Sequence, residues 1–103
     1  MNLFKDCFGN SVRLTAERLA HIRLHPEMRD LEATIGVVLQ APEIVRRSRT
    51  DSRALLFYRY YRATPVGDKW LCVVTLSEGA DAFVVTAYLT DKIKQGETLW
   101  PIP

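Results

Sequence analysis

Apolar residues recur with two different periods along this chain, and the change falls at Ala41-Pro42. Upstream, Leu19 and Ile22 are three apart. Met28, Leu31, Ile35, Val38 and Leu39 then follow at the spacing of a helix with one buried face. Thr15 is a good N-cap, and Glu17 lies in the first turn, where the helix dipole favours a negative charge. The spacing predicts a first helix over Ala16 to Leu24. Pro26 disfavours helical geometry at His25 and suits the first position of a helix. A second helix is therefore expected from Pro26 to the stop at Ala41-Pro42. Ahead of both, Leu3 to Phe8 reads as a short strand and Phe8 to Ser11 as a turn, because Gly and Asn tolerate positive φ.

Downstream the period shortens toward two. Glu43 to Ser48, Ala54 to Tyr61 (ALLFYRYY), Lys69 to Leu76 and Asp81 to Leu89 read as strands, separated by a loop at Arg49 to Arg53 and turns at 64–68 and 77–80. Strands joined by short turns imply an antiparallel meander. Thr90 can cap a last short helix over Asp91 to Gln95, with Gly96 as its stop and Trp100 docking the tail. The expected fold class is α+β: two N-terminal helices packed on one face of an antiparallel meander sheet of about four strands. In the last strand Phe83, Val85, Ala87 and Leu89 suit the core, and Thr86 and Tyr88 look the other way. In ALLFYRYYR the set Leu55, Phe57, Arg59, Tyr61 alternates with Leu56, Tyr58, Tyr60, Arg62, and one bulge would exchange the two.

Composition adds bounds. A chain of 103 residues suggests one domain over 1–103, and 48% hydrophobic with 25% charged residues is ordinary for a globular protein. No apolar run approaches a membrane span, and MNLFKDCF lacks the basic-then-apolar order of a signal peptide. Cys7 and Cys72 make no disulfide framework, so a reducing, cytoplasmic setting fits. The net charge of +2 is mild, but Arg46, Arg47, Arg49 and Arg53 crowd one stretch, with Arg59 and Arg62 soon after. Such a patch favours polyanions through phosphate contacts; its plainer role is a solvated loop.

The two histidines of the chain stand four apart in HIRLHPEM, His21 to Met28. Imidazole titrates near neutrality, so a pair on one helix face is a candidate for proton transfer. The spacing also suits a zinc pair, yet Ile22 occupies the place where a metalloprotease needs its glutamate, and no third ligand suggests itself. Arg59 is the leading phosphate anchor, because a charge in mid-strand among aromatics needs a partner. The alternative is an ion pair with Glu17, Glu32 or Asp81. Arg46, Arg47, Arg62, Lys92 and Lys94 are candidates to hold the nucleic-acid backbone, Tyr58, Tyr60 and Tyr61 to stack bases or donate a proton, and Tyr88 to contact the substrate. More often such tyrosines are sheet packing.

The order of these signals, HI…HPEM, a helix ending in AP, FYRYY, KWLCVV and FVVTAYLTDKIKQGETLW, resembles the phage-associated nuclease-fold families grouped with barnase, EndoU, colicin-type tRNases and RelE, the BECR fold. The likeness runs from about Leu14 to Trp100. It implies a toxin-like or phage-derived ribonuclease that cleaves tRNA or mRNA by attack of the ribose 2′-OH, with neither metal nor cofactor, and an inhibitor protein as a possible second partner. Catalytic roles would then fall to His21, His25 and Arg59. The resemblance adds Thr86 as a phosphate ligand on the open sheet face. A non-catalytic module binding RNA or protein is the competing reading. Convergence of His21, Arg59 and Thr86 in one cleft would favour the enzyme. An imidazole buried or remote from Arg59 would favour binding, and an arginine loop covering the open sheet face would favour a structural role.

Overall fold

The computed structural model describes residues 2–102. A hairpin of β1 (Asn2–Lys5) and β2 (Ser11–Leu14) leads into helix α1 (Ala16–Ile22). Two 3-10 turns, Pro26–Met28 and Glu32–Thr34, precede helix α2 (Ile35–Gln40). Five strands follow: β3 (Ile44–Ser48), β4 (Ala54–Thr64), β5 (Gly67–Glu78), β6 (Asp81–Thr90) and β7 (Gly96–Trp100). All join one seven-stranded sheet in the order β1-β2-β6-β5-β4-β3-β7. Neighbours run antiparallel except for a short parallel contact of β2 with β6 at Arg13 and Phe83.

The expected fold of two N-terminal helices on a four-stranded meander is therefore corrected. The protein is mostly sheet, 50% strand against 19% helix. The β3–β6 run is the meander the alternation predicts. The extra strands come from short segments whose periodicity is too brief to declare itself. Val12 to Leu14 pairs with β1, and Gly96–Trp100 pairs with β3.

The helix expected over Asp91 to Gln95 does not form, for a reason of reach. β6 and β7 are separated by β5, β4 and β3, a span of about 19 Å at the usual strand spacing. The steps from Thr90 to Gly96 would cover only about 9 Å as helix but about 20 Å when extended. The segment must run extended across the sheet.

The second expected helix is also broken. The break lies upstream of Ile35, where residues 29–31 form turns between the two 3-10 segments. The Thr34 hydroxyl bonds the Leu31 carbonyl, offering that backbone an alternative to a continuous helix. Only Ile35–Gln40 is regular.

Both helices cover one face of the sheet. Ile22, Met28, Ile35, Val38 and Leu39 meet Val12, Leu14, Val45, Phe57, Leu71, Val73, Val84 and Ala87 in a single core. A bulge in β6 sorts its residues. Val74 pairs with Thr86 but Thr75 pairs with Val84, so Val85 is the extra residue. Val84 thus turns inward and Phe83 outward, the reverse of the expected alternation in that half of the strand, whereas Ala87 and Leu89 face the core as expected.

The opposite face carries a second, smaller core of Leu56, Tyr58 and Cys72, with Ile44, Trp70, Val74, Tyr88 and Ile93 against it. Ile93 comes from the crossing segment.

Gly96 starts β7 where the backbones come close, since a Cβ there would strike the Arg47 carbonyl oxygen. Gly96→Val should force β7 away from β3. We expect a loss of roughly 1–3 kcal/mol, the usual range for overpacking, with hydrogen-exchange protection falling selectively at Val45 to Ser48. Unchanged melting and protection would refute the close contact.

Candidate functional site

The predicted residues divide between the two sides of the sheet. On the helix side, His21 lies exposed in the last turn of α1, which ends at Ile22 rather than Leu24. His25 lies just before the Pro26–Met28 turn in extended backbone, as a residue before proline prefers. The two rings do meet, edge to face, with centroids 6.4 Å apart. His25 Nδ1 lies 3.9 Å from Glu27 Oε1. Among the described residues, no group of three His, Cys, Asp or Glu side chains could hold a metal.

Arg59 shares the helix side, since it pairs with buried Leu71 and lies two residues from core Phe57 on the same face of β4. None of the carboxylates considered for it is its partner. Glu32 is held by Arg23 at 2.6 Å and Asp81 by Arg13 at 2.6 Å. Each arginine keeps its carboxyl below the usual range, chiefly through the hydrogen bond. Arg59 Nη1 instead donates to the Ala41 carbonyl at 2.7 Å. Ala41 is the C-cap of α2, so the guanidinium sits where a helix end exposes free carbonyls and favours a cation. Burial raises the neighbouring Tyr61 phenol, and the Arg59 charge partly offsets it. Arg47 is also on this side, opposite Leu55, and is spent on Glu97 at 3.1 Å and on the Ser52 carbonyl.

Thr86, Tyr58, Tyr88, Tyr60 and Arg46 belong to the other face. Thr86 pairs with Val74, Tyr88 and Tyr58 both with Cys72, Tyr60 with Trp70, and Arg46 with Leu56. Thr86 and Arg59 are therefore separated by the sheet. His21, His25, Arg59 and Thr86 line none of the four cavities resolved on the surface. Arg62 is exposed near the end of β4, beside the turn to β5, and Lys92 is exposed on the crossing segment.

Three groups of the second face make a buried polar cluster. Tyr58 is fully enclosed, and its hydroxyl accepts the Lys94 backbone N–H at 3.1 Å. Burial pushes Tyr58 up to about 12 and the Cys72 thiol up to about 11, and raises Tyr88 as well. All three stay protonated at neutral pH, which leaves Cys72 a poor nucleophile and the phenols poor acids.

Beside this cluster the surface is hollowed and basic. A cavity of about 230 Å³ has Ala54, Leu56 and Val74 among its lining, with Ser48, Arg49, Thr50, Lys94 and Gln95 around them. A shallower depression of about 370 Å³ adjoins it, lined by Arg46, Arg49, Gln95, Gly96 and Glu97. Arg49 and Gln95 form the shared wall, joined from Nη1 to Oε1 at 3.0 Å. Arg46 reaches the Lys94 carbonyl at 3.4 Å through Nη1, while its enclosed Nε has no hydrogen-bond partner. Among the described residues, Arg46, Arg49 and Lys94 form no ion pair, whereas Arg53 is taken by Asp51 and Glu78. Tyr60 and Trp70 lie further along this face with ring centroids 5.1 Å apart. The arginine loop edges the face without covering it, and the extended segment through Ile93 provides the cover.

Of this basic hollow, sequence reasoning selected Arg46 and the tyrosines and missed Ser48, Thr50 and Gln95. Lys94 was a candidate for the nucleic-acid backbone and Arg49 part of the basic patch, but nothing in their spacing told that a crossing segment would bring residue 94 beside residue 49. No family model, curated protein or solved structure matches the chain.

The cluster generates a pH prediction. Below pH 10 a Tyr58 phenol holds its proton folded or unfolded. Above it the unfolded chain ionises first, while the folded chain keeps the proton to about 12. Stability should therefore fall as pH rises through that window. Denaturant titrations of the native chain and Tyr58→Phe across it would test this. The native chain should lose stability more steeply, and equal slopes would show that Tyr58 contributes nothing.

Proposed function

We propose that this chain is a non-catalytic module that binds single-stranded RNA on the sheet face turned away from its helices. The observation that carries this reading is the clustering of Arg46, Arg49 and Lys94, none in an ion pair, around an apolar-floored hollow. Cations free of carboxylates are available to phosphates, and the release of counterions from the nucleic acid drives their association. The Tyr60–Trp70 pair on the same face offers rings on which bases stack. Thr86 and Tyr88 border this surface as ligands for backbone or base. No helix of the described residues is long and apolar enough to cross a membrane.

The ribonuclease expectation asked for an imidazole, a guanidinium and Thr86 in one cleft. His21 is exposed and shares the helix side with Arg59, but Arg59 is engaged by the Ala41 carbonyl and Thr86 faces the other way. This failure of the three to converge supports the binding arm of the resemblance. An RNA strand on the second face meets cations and hydroxyls but neither histidine.

Fluorescence anisotropy with a labelled single-stranded RNA tests the reading. The logarithm of Kd should rise with the logarithm of salt with a slope of roughly two, as about three phosphate contacts on a single strand imply. Arg49→Gln and Lys94→Gln should each weaken binding by several-fold. His21→Ala should not, and the RNA should remain intact in EDTA. Cleavage that disappears with His21→Ala would overturn the proposal, as would affinity unaffected by either cation substitution.

A further inference from the structure

We propose that the two adjoining hollows on the second face form one nucleotide site, the ring seated in the apolar hollow and a terminal phosphate held by Arg46 and Arg49. This deepens the RNA-binding reading and rests on it only for the source of the nucleotide. Ligand pockets for drug-sized molecules run to about 300–1,000 Å³. A hollow of about 230 Å³ with Leu56, Val74 and Ala54 in its lining is smaller and takes a single flat group. Ser48 and Thr50 place hydroxyls at its side, 3.1 Å from one another. The Ser48 oxygen also accepts the backbone N–H groups of Thr50 and Asp51, so it is the Thr50 hydroxyl that keeps capacity for the polar edge of a base or for a ribose.

The neighbouring hollow supplies the charge. Arg49 lines both, and its Nη1 bond to Gln95 leaves the rest of the guanidinium available. Arg46 brings a second guanidinium, which reaches the Lys94 carbonyl through Nη1 at 3.4 Å and keeps its Nε enclosed, so Nη2 is the group left for a phosphate. Glu97 also lines this hollow, but its carboxylate is occupied by Arg47 Nε at 3.1 Å. Two cations without ion pairs, Arg46 and Arg49, thus line the place where the phosphate would lie, and Lys94 stands on the wall of the adjoining hollow. A phosphodiester carries one negative charge, whereas a phosphomonoester carries about −1.5 to −2 at neutral pH. The charge excess matches the monoester better. The ligand is then a nucleotide bearing a terminal phosphate, either free nucleoside monophosphate or the phosphorylated end of an RNA.

Titration of the full chain with AMP, adenosine and inorganic phosphate, followed by backbone amide NMR, tests the site. AMP should shift the signals of Ser48 to Thr50 and Lys94 to Gly96. It should bind about tenfold more tightly than either fragment, and Arg49→Gln should remove about tenfold, as loss of a charged hydrogen bond implies. AMP binding no more tightly than phosphate, or shifting signals elsewhere, overturns the site. Competition then separates the sources. Displacement of AMP by a 5′-phosphorylated oligonucleotide but not by its 5′-hydroxyl twin supports a site for RNA ends. Bound AMP that neither displaces supports one for free nucleotide. RNA binding with no AMP response at these amides overturns the nucleotide site and leaves the RNA reading standing. AMP binding without RNA binding does the reverse.

Discussion

The segment between Thr90 and Gly96 has only just enough chain to reach its destination, and much of the second face follows from that. It must pass β5, β4 and β3 to bring β7 to the far side of β3. An extended path is the only one long enough, so the chain lies across the sheet like a strap. Extended backbone carries unpaired N–H groups, and a buried one is costly. Tyr58 resolves this at Lys94, where its phenol accepts the amide hydrogen. Ile93 adds its side chain to Leu56, Tyr58 and Cys72. These two contacts, the hydrogen bonds of Arg46 and Arg49 to Lys94 and Gln95, and the Lys69–Asp91 pair hold the strap down, which brings Lys94 and Gln95 alongside Ser48, Arg49 and Thr50. The basic hollow is a consequence of the crossing.

Ion pairing then decides which arginines are available. Arg13, Arg23, Arg47 and Arg53 all have carboxylate partners at the surface. Exposed pairs of this kind add little to stability, but they cancel charge where they form. Arg59 is occupied differently, at the carbonyl end of α2. Around the hollow of the strapped face Arg46, Arg49 and Lys94 remain positive, and Lys92 on the strap and Arg62 toward the end of β4 are likewise in no ion pair among the described residues. The mild net charge of +2 conceals this partition, because it averages neutralised arginines with free ones.

Much of the sheet was legible in the sequence. Four strands with short turns announced themselves by alternation, and the buried positions of the second helical stretch, Met28, Ile35, Val38 and Leu39, are core although the helix through them is interrupted. Three things were not legible. Short strands such as Ser11–Leu14 and Gly96–Trp100 carry too few residues for a period to emerge, and their pairing is settled by distant partners. The bulge at Val85 exchanges faces within a strand of otherwise unbroken apolar character, and only the pairing partner determines where such an extra residue goes. The Asp91 to Gln95 segment has helix-compatible residues, but its end-to-end distance is imposed by the topology. The site suffered from the same blindness. Arg59 looked like an anchor because a mid-strand charge needs a partner. It has one, but the partner is a backbone carbonyl, which leaves no mark in the sequence.

The placement of the histidines bears most directly on chemistry. Transphosphorylation needs a base within about 2.6–3.2 Å of the 2′-OH proton, directly or through one water. The strapped face offers Thr86, Tyr88, Tyr58 and Cys72, and burial raises the last three away from neutrality. His21 and His25 belong to the layer on the far side, displaced by the sheet and by a packed layer of roughly 10 Å. A strand of RNA held by Arg46, Arg49 and Lys94 is thus fixed in position without a group to take its proton. The helix side has the converse deficit, since its imidazoles are exposed while the nearest mid-strand guanidinium is engaged at the end of α2. The free cations and the imidazoles thus lie on opposite surfaces, and in the proposed reading that separation is what would let the protein hold an RNA without breaking it.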